Sequence, residues 1–157
     1  MKVVLIVIGK TSDRHIEALT GDYVSRLQHY VPFQMEVIPE LRNTKALSPE
    51  QQKVQEAELL RKQLQAGDHL VLLDEHGAER RSVDFATWLS KRLASGVRRL
   101  VFVVGGPYGF DASIHQLAAE EISLSQMTFS HQLIRVLFAE QLYRACTILK
   151  GEPYHHE

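Results

Sequence analysis

Residues 99–110 read RLVFVVGGPYGF, an uninterrupted apolar run that ends in three glycines around a proline. An apolar run of this length predicts a strand covered on both faces, as the strands of a parallel sheet are. The glycines permit positive φ angles and let a ligand or another backbone segment come close. The stretch therefore indicates a buried parallel strand followed by a tight loop. Taken alone, the loop is either a contact for a small molecule or a plain turn into the next helix.

The glycine loop lacks the two common phosphate-binding patterns. Pro107 and Tyr108 break the GxGxxG spacing, and no Gly-Lys-Ser/Thr follows. A nicotinamide oxidoreductase on a doubly wound sheet, a competing interpretation, would need the first of these patterns. What remains is a loop that offers backbone N–H and C=O groups to a ligand without phosphates.

Strands and helices alternate on both sides of this loop. Four further strands are predicted over residues 2–8, 33–38, 69–73 and 122–124, with a turn at 74–77 closing the third. Helices are predicted over residues 11–30, 48–66, 82–95, 111–120 and 130–150. This alternation predicts an α/β fold, one domain over residues 1–157, with a mostly parallel sheet and helices on both faces. Ligands of such sheets bind at the carboxyl ends of the strands, so the loops after Leu73, Val104 and Leu124 are the candidates.

Composition narrows the class of protein. The chain has 157 residues, 45% of them hydrophobic and 24% charged, as expected for one globular domain. Cys146 is the only cysteine, which excludes an intrachain disulfide and a cysteine-based zinc site and suits a reducing cytoplasm, where we expect the protein. The apolar run at 3–8 is too short to span a membrane. A net charge of −1 means that any RNA binding must use a local patch or a surface built by two subunits.

The last third of the chain carries two further patterns. Residues 123–129, SLSQMTF, combine hydroxyls with apolar groups, which suits either an adenine-sized slot or the edge of a core strand. The helix that follows is apolar nearly all round, so it must be buried on more than one face. A terminal helix is hard to bury so fully in a small domain. We therefore expect part of it to pack against a second copy of the chain.

Charged residues interrupt this apolar helix. Glu140 and Arg144 are four residues apart and can pair, and His131 and Arg135 have the same spacing on roughly the opposite side of the helix. Buried charges are costly when unpaired, so these residues form either structural ion pairs at an interface or a site that holds RNA. In the tail that follows, His155 suits proton transfer near neutral pH. Sequence neighbours rarely converge on one ion, so no metal site is predicted there.

The two segments GGPYGF and SLSQMTFSHQLIRVLFAEQLYRACTILKGEPYHHE, residues 105–110 and 123–157, resemble the C-terminal signature of the RlmH family. These are bacterial methyltransferases that modify N3 of a pseudouridine in 23S ribosomal RNA, and they belong to the SPOUT class. The resemblance implies a SPOUT-like α/β fold with a C-terminal trefoil knot. It also implies S-adenosylmethionine as cofactor and a homodimer that acts on ribosomal RNA in an assembled ribosomal particle, with neither a membrane nor DNA as partner.

The resemblance also implies roles for individual residues. In the tail and closing helix, His155 acts as the base or orients the target with Tyr154 beside it, Arg144 stabilises negative charge on the base, and Glu140 holds Arg144. His131 and Arg135 are implied contacts for RNA. The implied contacts for the cofactor are Leu73, Gly105, Leu124, Ser125, Gln126, Met127, Thr128 and Phe129. The alternative function is a non-enzymatic α/β module that binds a nucleoside and regulates another process.

Overall fold

The structure, a computed structural model, describes residues 1–157. Five strands and five α-helices alternate along the chain, with one short 3₁₀ turn at Thr44–Ala46. The strands are β1 Lys2–Ile8, β2 Phe33–Ile38, β3 His69–Glu79, β4 Arg99–Val104 and β5 Glu120–Ser123. The helices are α1 Arg14–Leu27, α2 Pro49–Gln63, α3 Ser82–Leu93, α4 Ala112–Leu117 and α5 Leu133–Lys150.

The five strands form one sheet in the order β2-β1-β4-β3-β5, and every neighbouring pair is parallel. The predicted α/β class is confirmed, and the sheet is parallel throughout rather than mostly parallel. All six residues of β4 are buried, in agreement with its continuous apolar sequence. The glycine loop therefore leaves the sheet from its centre.

Two cores cover the two faces of the sheet. Along β1, Val3, Leu5 and Val7 belong to one core, into which α1, α3 and α5 pack. Val4 and Ile6 belong to the other core, into which α2 and α4 pack. Each such side chain contributes roughly 1.5–3 kcal/mol by leaving water, which is why the strand is apolar at consecutive positions. None of the helices is both long and apolar enough to cross a membrane.

Side-chain caps decide where two of the helices begin. The Asp13 carboxylate accepts hydrogen bonds from the backbone N–H of His15 and Ile16, so α1 begins at Arg14 and not at residue 11. Ser48 caps α2 as predicted: its hydroxyl accepts from the Gln51 N–H, and the Gln51 side-chain oxygen accepts from the Ser48 N–H to complete a capping box. The Asp13 cap moves the start of α1 because it satisfies N–H groups that would otherwise be left free.

Strand β3 departs from its prediction. β3 continues to Glu79, but Leu73 and Ala78 both pair with Ile122, so the four residues between them bulge out of the ladder where a turn was expected. Gly77 lets β3 return to β5, because a Cβ at that position would lie 2.7 Å from the backbone of Glu121 and Ile122. Pairing with β5 therefore resumes after the bulge instead of ending before it.

A half-buried carboxylate fixes the short edge strand β5. Glu120 accepts hydrogen bonds from Trp88 Nε1 at 2.8 Å and from both Nε and Nη2 of Arg92 at 3.0 and 2.9 Å, and it pairs with His69 at 2.7 Å. Burial disfavours the charged form, yet the hydrogen bonds from Arg92, His69 and Trp88 outweigh it and lower the pKa of Glu120 to about 2. The start of β5 is thus tied to both β3 and α3.

The close approach at Gly77 yields a test of the β3–β5 pairing. We expect Gly77→Ala to lower the free energy of unfolding by about 1–3 kcal/mol, because the added methyl group meets backbone that cannot move aside cheaply. Urea denaturation followed by circular dichroism measures the change. The matched control is Gly21→Ala, in α1, where a methyl group meets nothing and should raise stability by about 0.5–1 kcal/mol. A Gly77→Ala protein as stable as the wild type would contradict the pairing.

Candidate active site

The bulge in β3 and the carboxyl ends of β4 and β5 surround a cleft of about 560 Å³, named here the strand-end cleft. β3 lies between β4 and β5 in the sheet, so the segments that leave the three strands meet at one edge. The volume lies in the range of small-molecule sites. A groove of similar volume, about 570 Å³, runs along the outer face of α2, but no strand end or glycine loop reaches it.

The strand-end cleft collects residues that were predicted as cofactor contacts. Of the eight, all except Gln126 line it; the amide of Gln126 instead donates to Glu79 at 2.6 Å. His131, predicted as a contact for RNA, also lines the cleft and is exposed. The lining members of the predicted set are Leu73, Gly105, Leu124, Ser125, Met127, Thr128 and Phe129.

The glycine loop forms one wall of the cleft. The Gly109 N–H donates to the Gly106 carbonyl at 3.1 Å, and Gly109 adopts a φ of 82°, which closes a tight turn. A Cβ at Gly105 would lie 3.1 Å from the ring of Phe110, so the loop packs closely on its own aromatic residue. Because the three glycines carry no side chains, their backbone groups can contact a ligand in the cleft, and such a ligand needs no phosphate.

Local hydrogen bonds shape the opposite wall. The Ser123 hydroxyl donates to the Ser125 carbonyl at 2.9 Å, and the Ser125 hydroxyl accepts from the Met127 N–H at 3.0 Å. These bonds hold the segment after β5 in a fixed irregular shape. Its apolar side chains Leu124 and Phe129 face the same cleft, which suits a flat, largely uncharged group such as a nucleobase.

The mouth of the cleft holds one group of potential metal ligands. The ligand atoms of Asp74, His115 and Glu121 lie within 4.8 Å of one another. His115 Nδ1 already pairs with Glu121, and Asp74 accepts from the N–H and Nδ1 of His76 at 2.8 and 3.0 Å. These groups satisfy one another within the chain, so we assign no metal to them.

A second set of polar side chains, named here the tail cluster, consists of Glu140, Arg144, Tyr154 and His155. Glu140 Oε1 accepts from Arg144 Nε at 3.1 Å and Nη2 at 2.5 Å, and from the Tyr154 hydroxyl at 3.0 Å. Arg144 also stacks over the Tyr154 ring at 4.8 Å. The chain thus folds its C-terminal tail back onto α5 through one shared carboxylate.

Helix α1 supports the tail cluster from the side. The Tyr23 hydroxyl lies 3.3 Å from the Tyr154 hydroxyl, and the Tyr30 hydroxyl donates to Glu152 at 2.5 Å. Tyr143 packs edge-on against the Tyr154 ring at 4.8 Å between centroids. The sequence predicts Tyr23 and Tyr30 only as members of one helix face, and in the structure α1 ends at Leu27, before Tyr30.

Two pKa shifts show what the tail cluster can do chemically. Burial, together with the hydrogen bonds to Tyr23 and Glu140, raises the pKa of the Tyr154 phenol. The hydrogen bond to Glu140 raises the pKa of the Arg144 guanidinium, even though burial opposes it. Both groups therefore keep their protons near neutral pH and act as hydrogen-bond donors.

His155 is arranged as a donor as well. Its Nδ1 lies 3.1 Å from Arg144 Nη1, and a guanidinium can only donate, so Nδ1 is the acceptor. A neutral imidazole with Nδ1 accepting carries its proton on Nε2. Nε2 is buried and has no hydrogen-bond partner within the chain; the Glu157 carboxylate lies 3.9 Å from it, beyond hydrogen-bond distance. The geometry thus favours orienting a ligand through Nε2–H over removing a proton from it.

Arg135 requires a correction. The sequence-based expectation was contact with RNA, but the side chain is only 1% exposed. Its guanidinium donates to the Ile8 carbonyl at 2.9 Å, the Thr11 hydroxyl at 3.0 Å and the His131 carbonyl at 2.9 Å. A side chain committed to these internal partners is not available to RNA, and its role is to join α5 to the end of β1.

The strand-end cleft and the tail cluster are separate within one chain. None of Glu140, Arg144, Tyr154 and His155 lines the cleft. The cleft is reached by the start of α5, whereas Arg144 lies ten residues beyond Ile134, about 15 Å along the helix axis. The two sets of side chains therefore do not meet within one chain.

Glu140 offers a test of how the tail is held. We expect Glu140→Gln to speed hydrogen exchange at the amides of Glu152 and Tyr154 by about tenfold, because the neutral amide replaces charge-assisted bonds with weaker ones. Mass spectrometry of the C-terminal peptide measures the rate. Glu17→Gln, an exposed position on α1, serves as control and should leave the rate unchanged. Equal rates in both variants would mean that the tail is held without Glu140.

Comparison with known proteins identifies what this arrangement is similar to. A family model described as "Predicted SPOUT methyltransferase" matches residues 1–155. Proteins named "Ribosomal RNA large subunit methyltransferase H" are 58% identical in Bacteroides fragilis, 57% in Phocaeicola vulgatus and 51% in Flavobacterium johnsoniae. In each case the alignment spans 157 residues and covers 100% of both chains.

Proposed function

This chain belongs to the SPOUT methyltransferase family, and on that premise we propose that it methylates N3 of a pseudouridine in 23S ribosomal RNA with S-adenosylmethionine as donor. The resemblance to RlmH proteins is confirmed, and the function as a ribosomal RNA methyltransferase with it. The observation that carries the finer proposal is the strand-end cleft, which gathers seven of the eight predicted cofactor contacts. The alternative, a non-enzymatic nucleoside-binding module, is not favoured, because the relatives are named as methyltransferases.

The residues of the strand-end cleft fit the proposed cofactor. An adenine ring needs a flat apolar slot with backbone polar groups at its edge, and Leu124 and Phe129 line such a slot beside the segment held by Ser125. No phosphate has to be bound, which agrees with the absence of a phosphate-binding loop. When bound, S-adenosylmethionine supplies a methyl group on a positively charged sulfur, already activated for in-line transfer.

The tail cluster would contact and orient the target nucleobase. Loss of the N3 imide proton to solvent places negative charge on N3 and the flanking ring carbonyls, and N3 then attacks the methyl group, which neutralises that charge. Arg144 and the Nε2–H of His155 are donors that can stabilise this charge, and Glu140 fixes Arg144 in place. Tyr154 keeps its proton and orders the tail. In this assignment His155 orients the target rather than acting as the base.

The proposal requires a homodimer, since the strand-end cleft and the tail cluster are apart in one chain. Exposed apolar side chains beside the cleft support it: Met127 is 77% exposed, and Phe129 and Leu133 also face outward. Monomers rarely leave such groups together on one surface. A second copy that covers them would bring its own tail cluster to the cleft.

The C-terminal knot is the finer part of the proposed fold. The chain leaves β5 at one edge of the sheet and must reach the end of β1, beyond β3 and β4. Gln132 marks its arrival there: its Oε1 accepts from the Ser12 N–H at 2.8 Å and its Nε2 donates to the Lys10 carbonyl at 3.3 Å. This crossing passes the glycine loop, and a knot results when the chain threads beneath that loop.

The remaining proposals concern the form of the RNA substrate and the place where the reaction occurs. With a net charge of −1, the chain has no bulk positive charge with which to grip RNA. We propose that an assembled ribosomal particle in the cytoplasm is the substrate, because its shape can supply the affinity that charge does not. Exposed His131, at the rim of the cleft, remains the proposed contact for RNA.

Deletion of the gene tests the reaction. We expect ribosomal RNA from the deletion strain to lack N3-methylpseudouridine and the wild-type gene to restore it, because the strand-end cleft and tail cluster together supply the donor site and the base site. Mass spectrometry of digested 23S RNA measures the nucleoside. An unchanged nucleoside profile after deletion would refute the proposed reaction.

Mixed dimers test whether the site is shared. We would combine Thr128→Trp, which blocks the cleft, with His155→Ala, which disables the tail. Random exchange makes half of the dimers mixed, and each mixed dimer has one intact cleft facing one intact tail, so about a quarter of wild-type turnover should return. Radiolabelled methyl transfer to ribosomal particles measures turnover. Each variant alone should be inactive, and a mixture without activity would show that the tail serves its own chain.

A further inference from the structure

Glu56 is a buried carboxylate that the fold does not explain. It lies in the middle of α2 and is 6% exposed. Its Oε1 has no hydrogen-bond partner, and its Oε2 receives one bond from Gln52 at 3.3 Å. Burying a carboxylate with so few partners is costly. Because no contact within the fold offsets this cost, the buried carboxylate points to a functional role.

No neighbouring charge neutralises Glu56. Lys53, one turn earlier on α2, pairs instead with Glu50 at 3.0 Å. Glu40 and His131 share a polar cavity of about 200 Å³ with Glu56, but neither forms an ion pair with it. Burial, as the largest effect, raises the pKa of the Glu56 carboxyl. The group is therefore a poorly compensated site for a negative charge.

Glu56 stands directly behind the glycine loop. A Cβ at Gly106 would lie 2.5 and 2.6 Å from the two carboxylate oxygens, so the carboxylate occupies the space that a side chain at Gly106 would take. The other side of Gly106 lines the strand-end cleft. Pro107 and His131 likewise line both the polar cavity and the cleft. One glycine backbone thus separates the carboxylate from the proposed cofactor site.

We propose that Glu56 is a specificity-determining residue whose negative charge makes the strand-end cleft favour the cationic methyl donor over its neutral product. The inference rests on the proposed function. In that reaction the sulfur–methyl bond breaks, the nitrogen–methyl bond forms, the N3 proton goes to solvent, and the positively charged sulfonium becomes a neutral thioether. A negative charge behind the glycine loop attracts the sulfonium but not the neutral thioether.

Electrostatics makes this effect large enough to measure. Two charges several ångströms apart in a partly buried site interact by an amount that corresponds to about tenfold in affinity. An attraction of this kind would be much weaker for an exposed carboxylate, which water and salt screen. Glu56 is only 6% exposed, so bulk water and salt screen it less. The product would then leave more readily than the donor, which favours turnover.

Calorimetry on the intact dimer tests the proposal. Affinities for S-adenosylmethionine and S-adenosylhomocysteine are measured for the wild type, Glu56→Gln and Glu58→Gln. We expect Glu56→Gln to weaken donor binding about tenfold and product binding less than twofold. Glu58 is exposed on the same helix, so Glu58→Gln should change neither. If Glu56→Gln does not fold, Glu56→Met removes the charge at similar volume and should show the same ratio.

The possible outcomes distinguish a failure of this inference from a failure of the proposed function on which it rests. Equal weakening of both ligands would overturn the inference, because it would mean that Glu56 only shapes the loop. Unchanged binding of both would overturn it as well, because the charge would then not reach the cleft. A wild-type protein that binds neither ligand would instead refute the proposed cofactor.

Discussion

The buried guanidinium of Arg135 is the interaction on which both candidate sites depend. The chain leaves β5 at the edge of the sheet and has to cross two strand ends before α5 can pack over the centre. Arg135 secures that crossing by donating to the Ile8 carbonyl at the end of β1 and to Thr11 just beyond it. Because a buried charge is costly without such partners, only one position of α5 satisfies it. That position draws residues 124–131 across the cleft and sets the direction of the tail.

The local signals in the sequence predicted the strands that are covered on both faces. The bounds of β1 and β4 agree with the apolar runs at 2–8 and 99–104, because burial on two faces demands apolar residues at nearly every position of this central pair. The bounds of β2, an edge strand, agree with the alternating apolar and polar residues at 33–38. β3 was predicted too short. Its second half is stabilised by pairing with β5, more than forty residues later, and nothing within residues 74–79 reveals that partner. The turn preference of residues 74–77 is local, whereas the pairing that resumes at Ala78 depends on the backbone of β5.

The residues of the candidate site also divide into those that the local sequence locates and those whose placement depends on distant contacts. The cofactor segment is contiguous, so a resemblance carried by residues 123–129 located it, and the strand ends supplied Leu73 and Gly105. Arg135 was assigned wrongly because its burial depends on where β1 ends, which spacing along α5 does not contain. Glu56 escaped notice for the opposite reason. It lies among Gln, Lys and Glu residues in α2 and looks like an ordinary exposed position until the glycine loop is placed against it.

The separation of the tail cluster from the strand-end cleft has an energetic consequence for the proposed dimer. Association is costly when flexible segments must be ordered at the same time. Here the tail is already held within its own chain, through Glu140, Tyr23 and the Tyr30–Glu152 hydrogen bond. A partner would therefore meet donors that are oriented before contact, and little of the interface energy would go into ordering them. Preorganisation of this kind would lower the cost of completing the proposed active site from two copies of the chain.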